Sequence, residues 1–156
     1  MNSDIIFQRL AALCAKGEHC QHDMIEKMRR WEVDDETQAA VMARLVKERY
    51  VDDERYTRAF VHDKIAYNQW GRKKIEQALW LKHIDGDTAR RVLDEVDDED
   101  YLNVLQPLLK QKSKSVKGAN DYERRMKLMK WAAGRGFTFD IIRQCLGNDD
   151  CDDYFD

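Results

Sequence analysis

No stretch of this chain is long and apolar enough to span a membrane. Its first residues lack the basic segment and apolar core of a secretory leader, so a cytoplasmic protein is expected. Cysteine is scarce: Cys14, Cys20, Cys145 and Cys151 lie at opposite ends with no CxxC pair, which predicts reduced thiols and no disulfide. Cys14, His19, Cys20 and His22 crowd together, but their spacing fits no common zinc pattern, and no metal is expected there. There is no GxxxxGK[ST] phosphate loop and no HExxH pair. His22, His62 and His83 adjoin charged residues without an evident nucleophile, so neither catalysis nor a cofactor is expected. No strand or hairpin pattern is present. Proline occurs once, at Pro107, where it should kink or interrupt a helix.

What is present is one helix–turn–helix pattern written three times. Met24, Met28, Val33, Asp34, Val41 and Leu45 correspond to Ile75, Leu79, Ile84, Asp85, Val92 and Val96, fifty-one residues later. A further fifty-three residues on come Leu128, Ala132, Phe137, Thr138 and Cys145, then the polar Asp149. Asp34, Asp85 and Thr138 can each cap a following helix, and Glu36, Asp87 and Asp140 put an acid in its first turn. The apolar residue before each cap can pack back on the new helix.

An earlier helix opens each unit. Ile6, Leu10 and Leu13 mark the first; Asp52 caps the second, whose stripe is Tyr56, Ala59 and Phe60; Tyr101, Val104, Leu105 and Leu108 mark the third. The expected fold is therefore all-α, an elongated array of three tandem three-helix repeats at 1–51, 52–97 and 98–148, with an acidic tail at 149–156. Such arrays work by laying a surface along a partner, so a binder is expected. At 37% charged residues and a mean hydropathy of −0.77, the core must be thin, which suits slender modules.

The net charge of −3 conceals segregation. Between Lys110 and Arg135 nine bases face two acids, while Asp94 to Asp100 holds six acids broken only by Val96. Arg72, Lys73, Lys74 and Lys82, offset by Glu76, form a second basic patch. Such blocks steer toward a polyanion or a complementary protein surface. For any single base the competing reading is a solvated helix face. The contact candidates are Arg72, Lys73, Lys74, Lys82, Arg124, Arg125, Lys127, Lys130 and Arg135. The segment from Gln111 to Asp121 has the composition of a mobile basic loop. Tyr67 and Trp70 are candidates for stacking on nucleobases, whereas Trp80 and Trp131 adjoin apolar positions and are expected in packing.

The run YVDDERYTRAF from Tyr50 to Phe60, then GRKKIEQAL from Gly71 to Leu79 and Lys82 to Ile84, resembles the signature of the RecX regulatory proteins. WAAGRGF from Trp131 to Phe137, with Asp140, Ile142 and Leu146, is similar to that family's closing motif. The resemblance covers nearly the whole chain and is most specific from Arg44 to Leu93. It implies an elongated, right-handed array of three-helix repeats and a modulator that docks in the groove of the RecA recombinase filament on DNA; a monomer is expected. Such a protein restrains filament assembly, ATP turnover and strand exchange without covalent chemistry of its own. Cys20 stands where the family often has a serine cap. Two other classes stay open: a stand-alone nucleic-acid-binding module, and a metal-dependent nuclease using the Asp94–Asp100 carboxylates.

Overall fold

A computed structural model describes residues 1–147, and all nine elements among them are helices. They are α1 (Ser3–Lys16), α2 (Gln21–Arg30), α3 (Asp35–Lys47), α4 (Asp53–Ala66), α5 (Arg72–Leu81), α6 (Gly86–Asp94), α7 (Asp98–Ser113), α8 (Asp121–Gly134) and α9 (Phe139–Leu146). The acidic segment from Asp149 onward and Cys151 lie outside the described residues.

The repeated turn is built from the same hydrogen bonds each time. Val33, Ile84 and Phe137 donate their N–H groups to Met28, Leu79 and Ala132 at 3.0, 3.1 and 3.3 Å, closing the preceding helix. The residue before each of them, Glu32, His83 or Gly136, has φ of +58°, +57° or +95°, the left-handed conformation such a closure requires. Asp34 then accepts from Thr37 N–H at 2.7 Å, Asp85 from Thr88 N–H at 3.3 Å and Thr138 from Ile141 N–H at 3.5 Å. The caps are thus occupied as the repeat pattern anticipates.

The chain packs as two compact units. Among the described residues, the first comprises Met1–Phe60 with Leu79–Val92, and the second Val61–Ala78 with residues 93–147. In the first, α1 and α2 both pack on α3, around Ile6, Phe7, Leu10, Met24, Met28, Val41 and Leu45. In the second, α7, α8 and α9 pack on one another, burying Leu105, Leu109, Met129, Ala132, Phe137 and Ile142.

Several expectations change in detail. Pro107 lies inside α7, which runs on uninterrupted to Ser113. Pro107 and Asn103 are both exposed, so the carbonyl deprived of its helical donor faces water rather than a dry core. The buried stripe of α7 is Tyr101, Leu105 and Leu109, with Val104 and Leu108 only half-buried. In α4 Tyr56 is buried as expected, but Ala59 and Phe60 are half-buried, and Thr57, Val61 and Ile65 complete the stripe. Trp80 is 76% exposed instead of packed. It follows Leu79 by one residue, about 100° around the helix, and the equivalent Arg29 and Ala133 are exposed as well.

The basic segment between α7 and α8 is held against α8. Arg124 donates to Gly118 O at 2.9 Å, Lys127 donates to Lys117 O, and Glu123 accepts from Ala119 N–H at 2.8 Å. Asn120 caps α8 by accepting from Glu123 N–H at 2.9 Å.

Candidate functional site

α5 breaks a rule that every other helix obeys. Each of the others carries an acid in its first turn, whereas α5 opens on Arg72, Lys73 and Lys74, with Gly71 before them. Three cations at the positive end of a helix dipole are unfavourable unless other groups compensate. Backbone carbonyls from the α8–α9 turn supply part of that compensation. Gly71 N–H donates to Arg135 O at 2.9 Å, and Lys73 N–H donates to Gly136 O at 3.0 Å.

So close an approach needs two glycines. A Cβ on Gly136 would stand 2.5 Å from Lys74 Cβ and 2.6 Å from Lys74 N, and one on Gly71 would overlap the Gly136–Phe137 backbone.

Around this splice, within the second unit, cations lie on aromatic rings. Lys64 Nζ and Lys74 Nζ sit 4.9 and 4.8 Å from the Trp70 centroid. Lys73 Nζ lies 5.3 Å from the Phe139 ring, while Lys112 Nζ and the Arg135 guanidinium lie 5.7 and 5.4 Å from Trp131. These distances fall within the range of cation–π attraction. Arg135 also donates to the carbonyls of Gln69 at 3.2 Å and Asn68 at 2.9 Å, tying the α4–α5 connection to the end of α8.

Arg72 is turned to another task. It donates to Glu76 at 2.8 Å and pairs with Asp94 at 2.7 Å. Burial opposes its charge, but the two carboxylates more than offset that and raise its pKa. Tyr101 nearby is pushed up to about 12 by burial.

The expected contact residues therefore divide. Lys73, Lys74 and Arg135 come together, joined by Lys64 and Lys112, which the charge pattern did not single out. Arg124, Arg125 and Lys127 lie toward the start of α8, up to roughly 16 Å along the helix from Arg135 at 1.5 Å per residue. Arg124 pairs with Asp121, Arg125 lines a shallow groove with Val116, Tyr122, Leu128 and Leu146, and Lys130 is exposed. Lys82 belongs to the first unit, where it donates to Asp23 at 2.7 Å. Burial works against the Asp23 carboxylate, yet the Lys82 bond leaves its pKa lowered; the same bond raises that of Lys82.

Nearby in that unit Gln21 N–H donates to Asp53 at 2.9 Å, and the His22 and His83 rings lie 4.1 Å apart. Cys20 occupies the cap position of α2, where its N–H donates to Asp23 at 3.4 Å and burial pushes its thiol up to about 11. Cys14, Cys20 and Cys145 are free thiols. Among the described residues no three His, Cys, Asp or Glu side chains converge as metal ligands, and no helix is long and apolar enough to cross a membrane.

Residues 52–93 match the second three-helix domain of RecX, and residues 98–146 match the third. Among curated proteins called regulatory protein RecX, that of Prosthecochloris aestuarii is 31% identical over 129 residues, covering 83% of both chains. The Chromobacterium violaceum protein is 23% identical over 148 residues, covering 95% of this chain and 93% of its own. This chain belongs to the RecX family. It spans about half the length, 46%, of the RecX proteins it matches from Oceanobacillus iheyensis and Leuconostoc mesenteroides. The crystal structure of RecX from Lactobacillus salivarius has the same fold, with a TM-score of 0.84 at 16% identity over 92% of this chain and 94% of that one.

Both RecX matches contribute to the cluster: Lys64, Trp70 and Gly71 to Lys74 come from the second-domain segment, and Lys112, Trp131, Arg135 and Gly136 from the third. Charge counting missed Lys64 because it is isolated in sequence from other bases, and it passed over Lys112 among nine. The GRG of 134–136 and the glycine after Trp70 were the available signals, since glycine marks close backbone approach.

Proposed function

We propose that this RecX chain binds the RecA recombinase and its DNA filament and restrains filament growth, ATP hydrolysis and strand exchange. It does so as a monomer in the cytoplasm, through three-helix repeats at 1–51, 52–97 and 98–148, by contact rather than by covalent chemistry. The observation that carries this reading is the cluster around Gly71 and Gly136. Cations drawn from two RecX domains are held there on a rigid splice of helix ends, a surface preorganised for an acidic or polyanionic partner. Several modest contacts fixed on one body add through effective concentration, which suits a repetitive filament.

The test is direct. The purified chain is added to recombinase preassembled on single-stranded DNA while ATP hydrolysis is followed. A dose-dependent fall in rate is expected, and an unchanged rate at several-fold excess rejects the proposal.

A further inference from the structure

We infer that the shallow groove along the start of α8 is a docking site for the chain's own acidic segment at 149–156. The inference stands apart from recombinase binding, since it concerns a contact made within one chain. The groove is lined by Val116, by Tyr122, Arg124, Arg125 and Leu128 of α8, and by Leu146 of α9, all within the second unit. Its character is mixed. Leu128 is buried, Val116 and Leu146 are half-buried and Tyr122 is 53% exposed, so apolar surface lies beside an open ring. Arg124 and Arg125 add positive charge, and between Lys110 and Lys130 eight bases stand against two acids.

The occupant is set by chemistry. The segment at 149–156, outside the described residues, holds five aspartates, Tyr154 and Phe155, and no base. Guanidinium groups take carboxylates in charge-assisted, often bidentate pairs. The two adjacent aromatic residues suit the apolar side chains and the Tyr122 ring. Arg124 already pairs with Asp121, but that carboxylate is fully exposed, so the pair contributes little and yields readily to another acid.

The occupant is also set by place, because the chain leaves α9 at the groove itself. Leu146, the last residue of α9, is one of the lining residues. Gly147 follows at φ +93°, its N–H donating to Arg143 O at 2.8 Å, and a Cβ there would stand 3.6 Å from Arg125 Nη2. The Arg125 guanidinium thus sits beside the point where the acidic segment begins. Nine residues can span up to about 30 Å, whereas Tyr122 and Leu128 are about 9 Å apart along α8. So short a tether gives an effective concentration in the millimolar range, and a contact too weak to hold a separate peptide is populated in cis. Once docked, the segment withholds the first two turns of α8 from other acidic partners.

The experiment places a nitroxide at Asp156→Cys of the whole chain, with Cys14, Cys145 and Cys151 changed to Ser and the fully buried Cys20 left in place. Amide NMR signals then report which residues the label approaches. The reference is the same labelled chain with Asp149, Asp150, Asp152 and Asp153 changed to Asn, an undocked tether of equal length. Broadening at Val116, Tyr122 and Arg125 should exceed the reference by at least about twofold, as effective concentration favours the docked form. In about 1 M salt, where the Debye length falls to about 3 Å, most of that excess should disappear. Arg124→Glu with Arg125→Glu should abolish it, with circular dichroism confirming that helicity is kept.

Equal broadening in the charged and neutralised chains would overturn the inference, and since the neutralised chain alters no described helix, a folding defect does not enter. Broadening of an isotope-labelled chain by a separate spin-labelled copy, as strong as that within one chain, would also overturn it by showing that the groove is filled between copies.

Discussion

Lys73 and Gly136 are joined by a backbone hydrogen bond of 3.0 Å, N–H of the first to carbonyl of the second. Through this bond and its neighbour from Gly71 to Arg135, a helix with no acid in its first turn is capped by another part of the chain. The turn that supplies the carbonyls occurs in all three repeats, yet only its third copy has glycine at the left-handed position.

Substitution at that position should have opposite signs in different repeats. Gly136→Ala places a Cβ 2.5 Å from Lys74 Cβ at φ +95° and is expected to cost at least about 1–3 kcal/mol. Glu32→Gly relieves an exposed residue at φ +58° and should be neutral or stabilising by up to about 1 kcal/mol. Urea unfolding of both variants checks the pair, and equal destabilisation would refute the argument.

Arg72 and its neighbours should separate stability from binding. Arg72 bridges Glu76 and Asp94, so Arg72→Ala is expected to lower stability by roughly 1 kcal/mol, kept small by the exposure of its partners. Lys73→Glu with Lys74→Glu should leave helicity intact but weaken restraint of the recombinase ATPase several-fold, as loss of a phosphate or carboxylate contact does. Circular dichroism and ATPase inhibition measured on the same preparations distinguish the two.

Two aspartates of the first unit should respond to pH in opposite directions. The folded pKa of Asp23 is lowered, so its contribution to stability is present above the unfolded value of about 3.8 and lost as pH falls through the folded one. Asp23→Asn should then destabilise at pH 7 by on the order of 1 kcal/mol, since Lys82 is partly exposed, and the difference should shrink below pH 4. Burial raises Asp53, so its contribution is present below the unfolded pKa and lost as pH rises through the folded one. Asp53→Asn keeps an acceptor for Gln21 N–H and should be neutral or stabilising at pH 7. Thermal melts from pH 3 to 7 read both signs.

Adjacent residues on α5 should differ sharply. Leu79 is fully buried, and Leu79→Ala is expected to cost about 2–5 kcal/mol through lost burial and a residual cavity. Trp80→Ser, one position on, should change stability by less than about 0.5 kcal/mol. A large loss for the serine variant in denaturant unfolding would contradict its placement at the surface.

Much of the fold is legible from local chemistry. Apolar spacing, an N-cap and a first-turn acid are short-range signals, and they locate the helices and the three equivalent turns from residue types alone. α7 shows the limit: Pro107 was expected to break or kink the helix, but whether a proline is tolerated depends on whether the carbonyl it orphans faces water or core. Trp80 shows another, because an aromatic beside an apolar stripe can fall on either side of the helix.

The amino-acid order by itself determined an all-α repeat with segregated charge, because periodicity and capping act within a few residues, and its motifs carried the likeness to the RecX family. Only the tertiary structure decided which cations act together. Lys64, Lys74, Lys112 and Arg135 are scattered over seventy-two residues, and what gathers them is the close fit of Gly71 against Gly136. That contact depends on steric space between distant backbones, a property no local pattern encodes.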